Sequence, residues 1–109
     1  MSIGNEINIL LKKFQKGNKL DSYKKLLKIL EEHENDNHLR FNVAVIEQNL
    51  GLYDEARFNY NLIIKNNNNF KSIINLYNLE IKENKYQDAL LLINKAIALN
   101  QNLEFLYLL

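Results

Sequence analysis

A period of 33 residues constrains this chain more than any other feature. Gly51-Leu52-Tyr53-Asp54-Glu55-Ala56 returns 33 positions later as Asn84-Lys85-Tyr86-Gln87-Asp88-Ala89. The match continues in step, with Tyr60 falling on Ile93, Ile63 on Ala96 and Ile64 on Ile97. One period earlier lies Asn18-Lys19-Leu20-Asp21-Ser22-Tyr23, where Leu20 falls on Tyr53, Leu27 on Tyr60 and Leu30 on Ile63. Leu10, Val43 and Leu76 form a further column, and so do Asn18, Gly51 and Asn84. A unit of this length buries its apolar face only by stacking on its neighbours.

Each column has a physical task. Asn and Gly tolerate a left-handed backbone best, so Asn18, Gly51 and Asn84 fit the point where one helix stops and the chain reverses. Leu20, Tyr53 and Tyr86 place a bulky group at the start of the next helix. Asp21, Asp54 and Asp88 follow near its N-terminus, where the helix dipole favours negative charge. Steps of three or four then mark one face of a 3.6-residue helix: Leu20, Tyr23, Leu27 and Leu30; Tyr53, Ala56, Tyr60 and Ile63; Tyr86, Ala89, Ile93 and Ala96.

The expected fold is all-α: antiparallel helix hairpins in tandem, stacked as a right-handed solenoid. First helices are placed at 5–16, 38–49 and 70–82, and second helices at 20–33, 53–65 and 86–99. No segment alternates with the period of two that a strand requires. Residues 1–109 read as one domain with repeats at 4–36, 37–69 and 70–102, and residues 103–109 read as the start of a further helix.

The period, the two-helix unit and the Tyr-x-x-Ala column resemble the tetratricopeptide repeat, whose unit is about 34 residues. The resemblance covers nearly the whole chain. Another α-solenoid, such as a half-a-tetratricopeptide array, is the alternative. The resemblance implies that small residues let helices of adjacent hairpins pack closely, with Ala44, Ala56, Ala89 and Ala96 in those positions. Ala56 and Ala89 are therefore expected to be buried. The chain departs from the family where a helix-breaking Pro is expected, since Asn35, Asn68 and Gln101 stand there. Tyr77 occupies a usually small position. Leu11, Tyr23 and Leu30 make the first repeat degenerate, as terminal repeats often are.

Composition excludes several functions. A net charge of +1 gives no clustered basic excess for nucleic acid and no pull toward anionic membranes. No apolar run approaches the ~18–20 residues that span a bilayer. The absence of Cys removes disulfides and thiolate chemistry, and with no signal peptide in view it fits a cytoplasmic protein. Lys outnumbers Arg by 12 to 2 and Asn is abundant, the signature of an AT-rich genome. The run Asn66-Asn67-Asn68-Asn69 reads as drift of the same kind.

No catalytic constellation is visible, so the chain reads as a non-enzyme without cofactors. Ser22 and Ser72 stand in no nucleophile motif, and there is no Gly-rich phosphate loop or His-Glu-x-x-His pattern. His33 and His38 lie near Glu31, Glu32, Glu34 and Asp36 at an inter-repeat turn, where solvated polar groups are a better reading than a metal site. Tyr53, Tyr60 and Tyr86 fall in packing columns rather than on a base-stacking surface.

In the resembled family the first helix of each pair lines a concave groove for an extended peptide or a partner helix. Carried over residue by residue, that face holds Asn5, Asn8, Lys12 and Gln15, then His38, Phe41, Asn42, Val45 and Gln48, then Lys71, Ile74, Asn75, Asn78 and Ile81. The peptide-binding set is expected among Asn8, Lys12, Phe41, Asn42, Val45, Lys71, Ile74, Asn75, Asn78 and Ile81. One subgroup clamps the carboxylates of acidic chaperone tails. Asn42 and Lys71 match that pattern, Asn8 and Lys12 stand with their types exchanged, and Asn75 replaces an Arg whose fork a neutral amide does not reproduce.

The expected function is a scaffold that binds a protein or peptide partner. The alternatives are the N-terminal array of a longer, possibly enzymatic, protein, or a self-associating module. For the last, the end Leu103-Glu104-Phe105-Leu106-Tyr107-Leu108-Leu109 is apolar almost all round. An array's terminal helix should have a polar face. Phe105, Leu106, Tyr107 and Leu108 are thus expected to meet another repeat or another copy of the chain.

Overall fold

The computed structural model describes residues 3–15 and 19–99. Those residues form α1 (Ile3–Gln15), α2 (Lys19–Glu32), α3 (Asn37–Asn49), α4 (Tyr53–Asn67), α5 (Phe70–Lys82) and α6 (Tyr86–Leu99), with no strand among them. The helices pack as hairpins, α1 on α2, α3 on α4 and α5 on α6, and successive hairpins meet through α2 on α3 and α4 on α5. The chain is an all-α array of helix hairpins. Its extents of 41 × 25 × 23 Å are those of a stack rather than a sphere. The helix ends lie within two residues of the sequence expectation.

The turns inside the second and third hairpins are the same motif, repeated at 33 residues. Gly51 has φ 79° and Asn84 has φ 61°, both left-handed, as their column predicts. After α3, Leu52 N donates to Glu47 O at 2.8 Å and Gly51 N to Gln48 O at 3.2 Å. After α5, Lys85 N donates to Glu80 O at 2.8 Å and Asn84 N to Ile81 O at 3.1 Å. This double closure satisfies carbonyls that the helix end would otherwise orphan. Asn18, the first member of the column, lies outside the described residues.

The turns between hairpins correct the reading of the Asn run as drift. Asn68 is left-handed at φ 50° and ends α4. Asn69 caps α5, its Oδ1 accepting from Ser72 N at 2.9 Å and from Ser72 Oγ at 3.0 Å. One period earlier Asp36 caps α3 in the same way, Oδ1 accepting from Leu39 N at 3.0 Å. An Asn that reverses the chain and an Asx cap that starts the next helix do here what a Pro does elsewhere.

Two apolar clusters hold the stack. The first joins Ile7 and Leu10 of α1, Tyr23, Leu26, Ile29 and Leu30 of α2, and Leu39, Val43 and Ile46 of α3. The second joins Ala44, Ala56, Tyr60, Ile64, Ile73, Leu76, Leu79 and Ala96. Helix α3 serves both, one face to each. Leu26, Leu39, Ile73 and Leu79 are completely buried, each contributing about 1.5–3 kcal/mol of transfer free energy. Ala56 and Ala89 are buried as expected, and so are Ala44 and Ala96.

One packing column is corrected. Leu20 is 59% exposed and Tyr86 61% exposed, although both were expected on the packed face. Only Tyr53, the middle member, is half-buried, and the ammonium of Lys82 on α5 lies 5.2 Å from its ring centroid. Of the three, Tyr53 alone is met by the end of the following first helix. The residue one period before Lys82 is Asn49, too short to cover Leu20 in the same way.

Two carboxylates are buried between hairpins, at Glu47 and Glu80, 33 residues apart. Glu80 is met by Arg57, whose Nε donates at 2.9 and 3.1 Å and whose second terminal nitrogen donates at 2.7 Å. Arg57 also bonds Asp54 and Glu83. Glu47 accepts instead from the Tyr23 hydroxyl and from Asn59 Nδ2, each at 2.6 Å. No sequence motif singles out either carboxylate, although the two share one column of the repeat.

Candidate functional site

The first helices carry the expected partner-binding residues, and the structure gathers only some of them. Phe41 and Asn42 of α3 and Lys71 of α5 line one cavity of about 620 Å³ with Asn37, His38, Asn67, Asn69 and Phe70. It sits between the N-terminal ends of α3 and α5. The turn at Asn67–Asn69 places α5 there, because Asn68 reverses the chain and Asn69 starts the helix.

The lining is specific in what it contains. Two Phe rings supply apolar contact, five Asn and His side chains supply donors and acceptors, and Lys71 supplies a cation; no carboxylate lines it. Asn42 Nδ2 donates to the His38 carbonyl oxygen at 3.1 Å and lies 3.4 Å from His38 Nε2. The Phe41 ring stands edge-on to Tyr60, 6.1 Å between centroids at 63°. Burial holds the Tyr60 phenol up at about 12, against the lowering effect of Asn75. The hydroxyl therefore stays protonated, donating to Gln48 Oε1 at 2.8 Å and accepting from Asn75 Nδ2 at 3.4 Å. This chain of contacts fixes the Phe41 wall from behind.

The remaining expected residues lie elsewhere. Val45 and Ile74 are half-buried against the second apolar cluster, so much of their surface is already spent on the core. Asn75 is engaged by Tyr60. Asn8 and Lys12 on α1, and Asn78 and Ile81 on α5, are exposed but do not line the cavity. Phe105, Leu106, Tyr107 and Leu108 lie outside the described residues.

Asn37, Asn67, Asn69 and Phe70 lie outside the set expected from the sequence. Asn37 and Phe70 share a repeat position, as do His38 and Lys71, so the 33-residue spacing could have found the first pair. Asn67 and Asn69 were hidden in the Asn run. The two histidines part company: His38 lines this cavity and His33 another, formed by α1 and α2. Among the described residues no three His, Asp or Glu side chains converge as metal ligands. No described helix is long and apolar enough to cross a membrane.

No protein-family model matches the chain, and no curated protein matches it.

Proposed function

We propose that the chain is a protein-interaction module of tetratricopeptide type that holds a segment of a partner protein on its first helices, anchored in the cavity between α3 and α5. The observation that carries this reading is the pairing of Phe41 and Phe70 with Lys71 and several Asn amides in one cavity without a carboxylate. Rings anchor apolar side chains, amides bond a peptide backbone, and Lys71 favours an acidic neighbour. A Cys-free chain of net charge +1 fits a protein partner in the cytoplasm better than nucleic acid or a membrane surface. The test is capture of partners from a lysate by the chain and by its Lys71→Glu and Asn42→Ala variants, followed by chemical-shift mapping of a recovered partner. Signals moving at Phe41, Asn42 and Phe70 support the reading. Signals confined to α2, α4 and α6 overturn it.

A second reading, an interface between copies or with a further repeat, rests on α6. Tyr86, Leu90, Leu91, Ile97 and Leu99 are all exposed there. Apolar patches of this kind mark interaction surfaces. Light scattering across a concentration series tests it, with a strictly monomeric species at millimolar concentration counting against it.

A further inference from the structure

Between α2 and α4 lies a second cavity, of about 510 Å³, on the opposite set of helices from the site above. Leu27, Leu30 and the 63%-exposed ring of Phe58 wall it, and Asp54 and Glu55 stand at its rim. Glu47 also lines it, though only 2% exposed. No Lys or Arg belongs to the lining.

One period along the chain the corresponding cavity is smaller and holds a cation. The cavity between α4 and α6 is about 300 Å³ and contains Glu80 with Arg57 laid against it. The guanidinium gives Glu80 three hydrogen bonds. The residue one period before Arg57 is Lys24, which is exposed and takes no part in the α2–α4 cavity. Glu47 therefore lacks the cation that its counterpart has. Its two hydrogen bonds come from neutral donors, and a carboxylate has about four acceptor positions. The nearest guanidinium, Arg40, reaches it only through Asn59, donating to Asn59 Oδ1 at 2.8 Å.

We propose that the α2–α4 cavity binds an arginine side chain of a partner protein, presented on an apolar segment, with Glu47 and Glu55 receiving the guanidinium and Leu27, Leu30 and Phe58 receiving its apolar neighbours. One period along, a guanidinium sits beside the matching carboxylate; Glu47 and Glu55 supply charge complementarity, with the exposed Asp54, whose Oδ1 already bonds Arg57, at the rim. Arginine suits the place better than lysine because its fork bonds a carboxylate at two points and its plane stacks on an exposed ring such as Phe58. The surface is distinct from the α3–α5 cavity, so each can fail alone.

The test uses an acetylated, amidated amphipathic nine-residue peptide with one central Arg between apolar residues, and its twin with neutral, isosteric citrulline. Methyl and ring signals of Leu27, Leu30 and Phe58 are followed by NMR during titration. The Arg peptide is expected to shift them saturably, and binding should weaken at least about tenfold with the citrulline twin or with the Glu47→Gln chain. Phe58→Ser, at a position 63% exposed, should weaken it as well. Equal binding of the two peptides, shifts confined to Phe41 and Phe70, or no saturable shift at millimolar peptide would each overturn the proposal.

Discussion

Glu47 and Glu80 occupy the same position of successive first helices and are both buried, yet only Glu80 is met by a guanidinium. At each, the backbone carbonyl accepts from the turn that follows, from Leu52 N and Lys85 N respectively. The two residues thus tie a helix end to the hairpin before it, Glu80 by an ion pair with Arg57 and Glu47 by the Tyr23 phenol, while Asn59 holds Glu47 from within its own hairpin. Burial raises the cost of a carboxylate that loses its partner, so the two junctions should respond differently to substitution.

Removing the Arg57 side-chain cation should be the more damaging change. Arg57→Gln leaves Glu80 buried without a counter-ion, and breaking one side of such a pair costs about 3–5 kcal/mol. Arg57 keeps some solvent contact, so the lower end is expected. Urea unfolding of the variant against the parent measures it. A loss under about 1 kcal/mol would show that the pair contributes like a surface one.

Glu47→Gln should do the opposite at neutral pH. Burial pushes the Glu47 carboxyl above its usual 4.5, against hydrogen bonds from Tyr23 and Asn59 that lower it; Glu55 on α4 raises it and Arg40 on α3 lowers it. A raised folded-state value means that the protonated group stabilises the fold below the unfolded value. That stability is lost as pH rises through the folded value. Gln mimics the protonated acid, accepting from Asn59 and donating to the Tyr23 oxygen. The variant should match the parent near pH 4 and become the more stable of the two as pH rises toward 7, when both are followed by urea unfolding. A stability difference independent of pH over that range would contradict the assignment.

The fold was legible because the 33-residue period and the helical spacing act together, and both are properties of apolar and turn residues that the sequence displays. Gly51 and Asn84 could be assigned to left-handed turns because few residue types suit that backbone. The site was less legible. Val45 and Ile74 look like partner contacts on a helical wheel, but the second apolar cluster absorbs them. Asn67 and Asn69 look like compositional noise, but one lines the α3–α5 cavity and the other caps α5 as well. Burial of Glu47 and Glu80 depends on how far apart the hairpins sit, which no local pattern records.

The turn motif makes a backbone prediction. An added Cβ at Gly51 meets nothing within 4 Å, so Gly51→Ala should cost only the left-handed backbone penalty, about 1–2 kcal/mol. Asn84→Gly relieves the same penalty at the matching turn and should be neutral to slightly stabilising. Thermal unfolding of the two variants compares them directly. A Gly51→Ala variant that melts with the parent would place this turn outside the cooperative unit.

The last prediction concerns the column Tyr23, Ala56 and Ala89, one residue per repeat. All three are buried, with Ala56 and Ala89 at or below 1% exposure. At Ala89 the neighbouring helices close over a single methyl group, so Ala89→Leu must force side chains off their rotamers or move α6 away from α5. Overpacking of this kind costs about 1–3 kcal/mol. At Tyr23 the same position holds a large ring, and α2 meets α3 less extensively than α4 meets α5. The first junction is therefore built around the ring, and its hydroxyl holds Glu47. Tyr23→Ala should not restore close packing by imitation of Ala56. It should open a cavity and strip Glu47 of a donor, costing about 3–5 kcal/mol by analogy with other large-to-small aromatic changes. Calorimetry of Ala89→Leu and Tyr23→Ala decides the matter. If Tyr23→Ala is tolerated while Ala89→Leu is not, the first hairpin has the freedom to close onto the second, and the junction is set by Glu47 and Asn59 rather than by the ring.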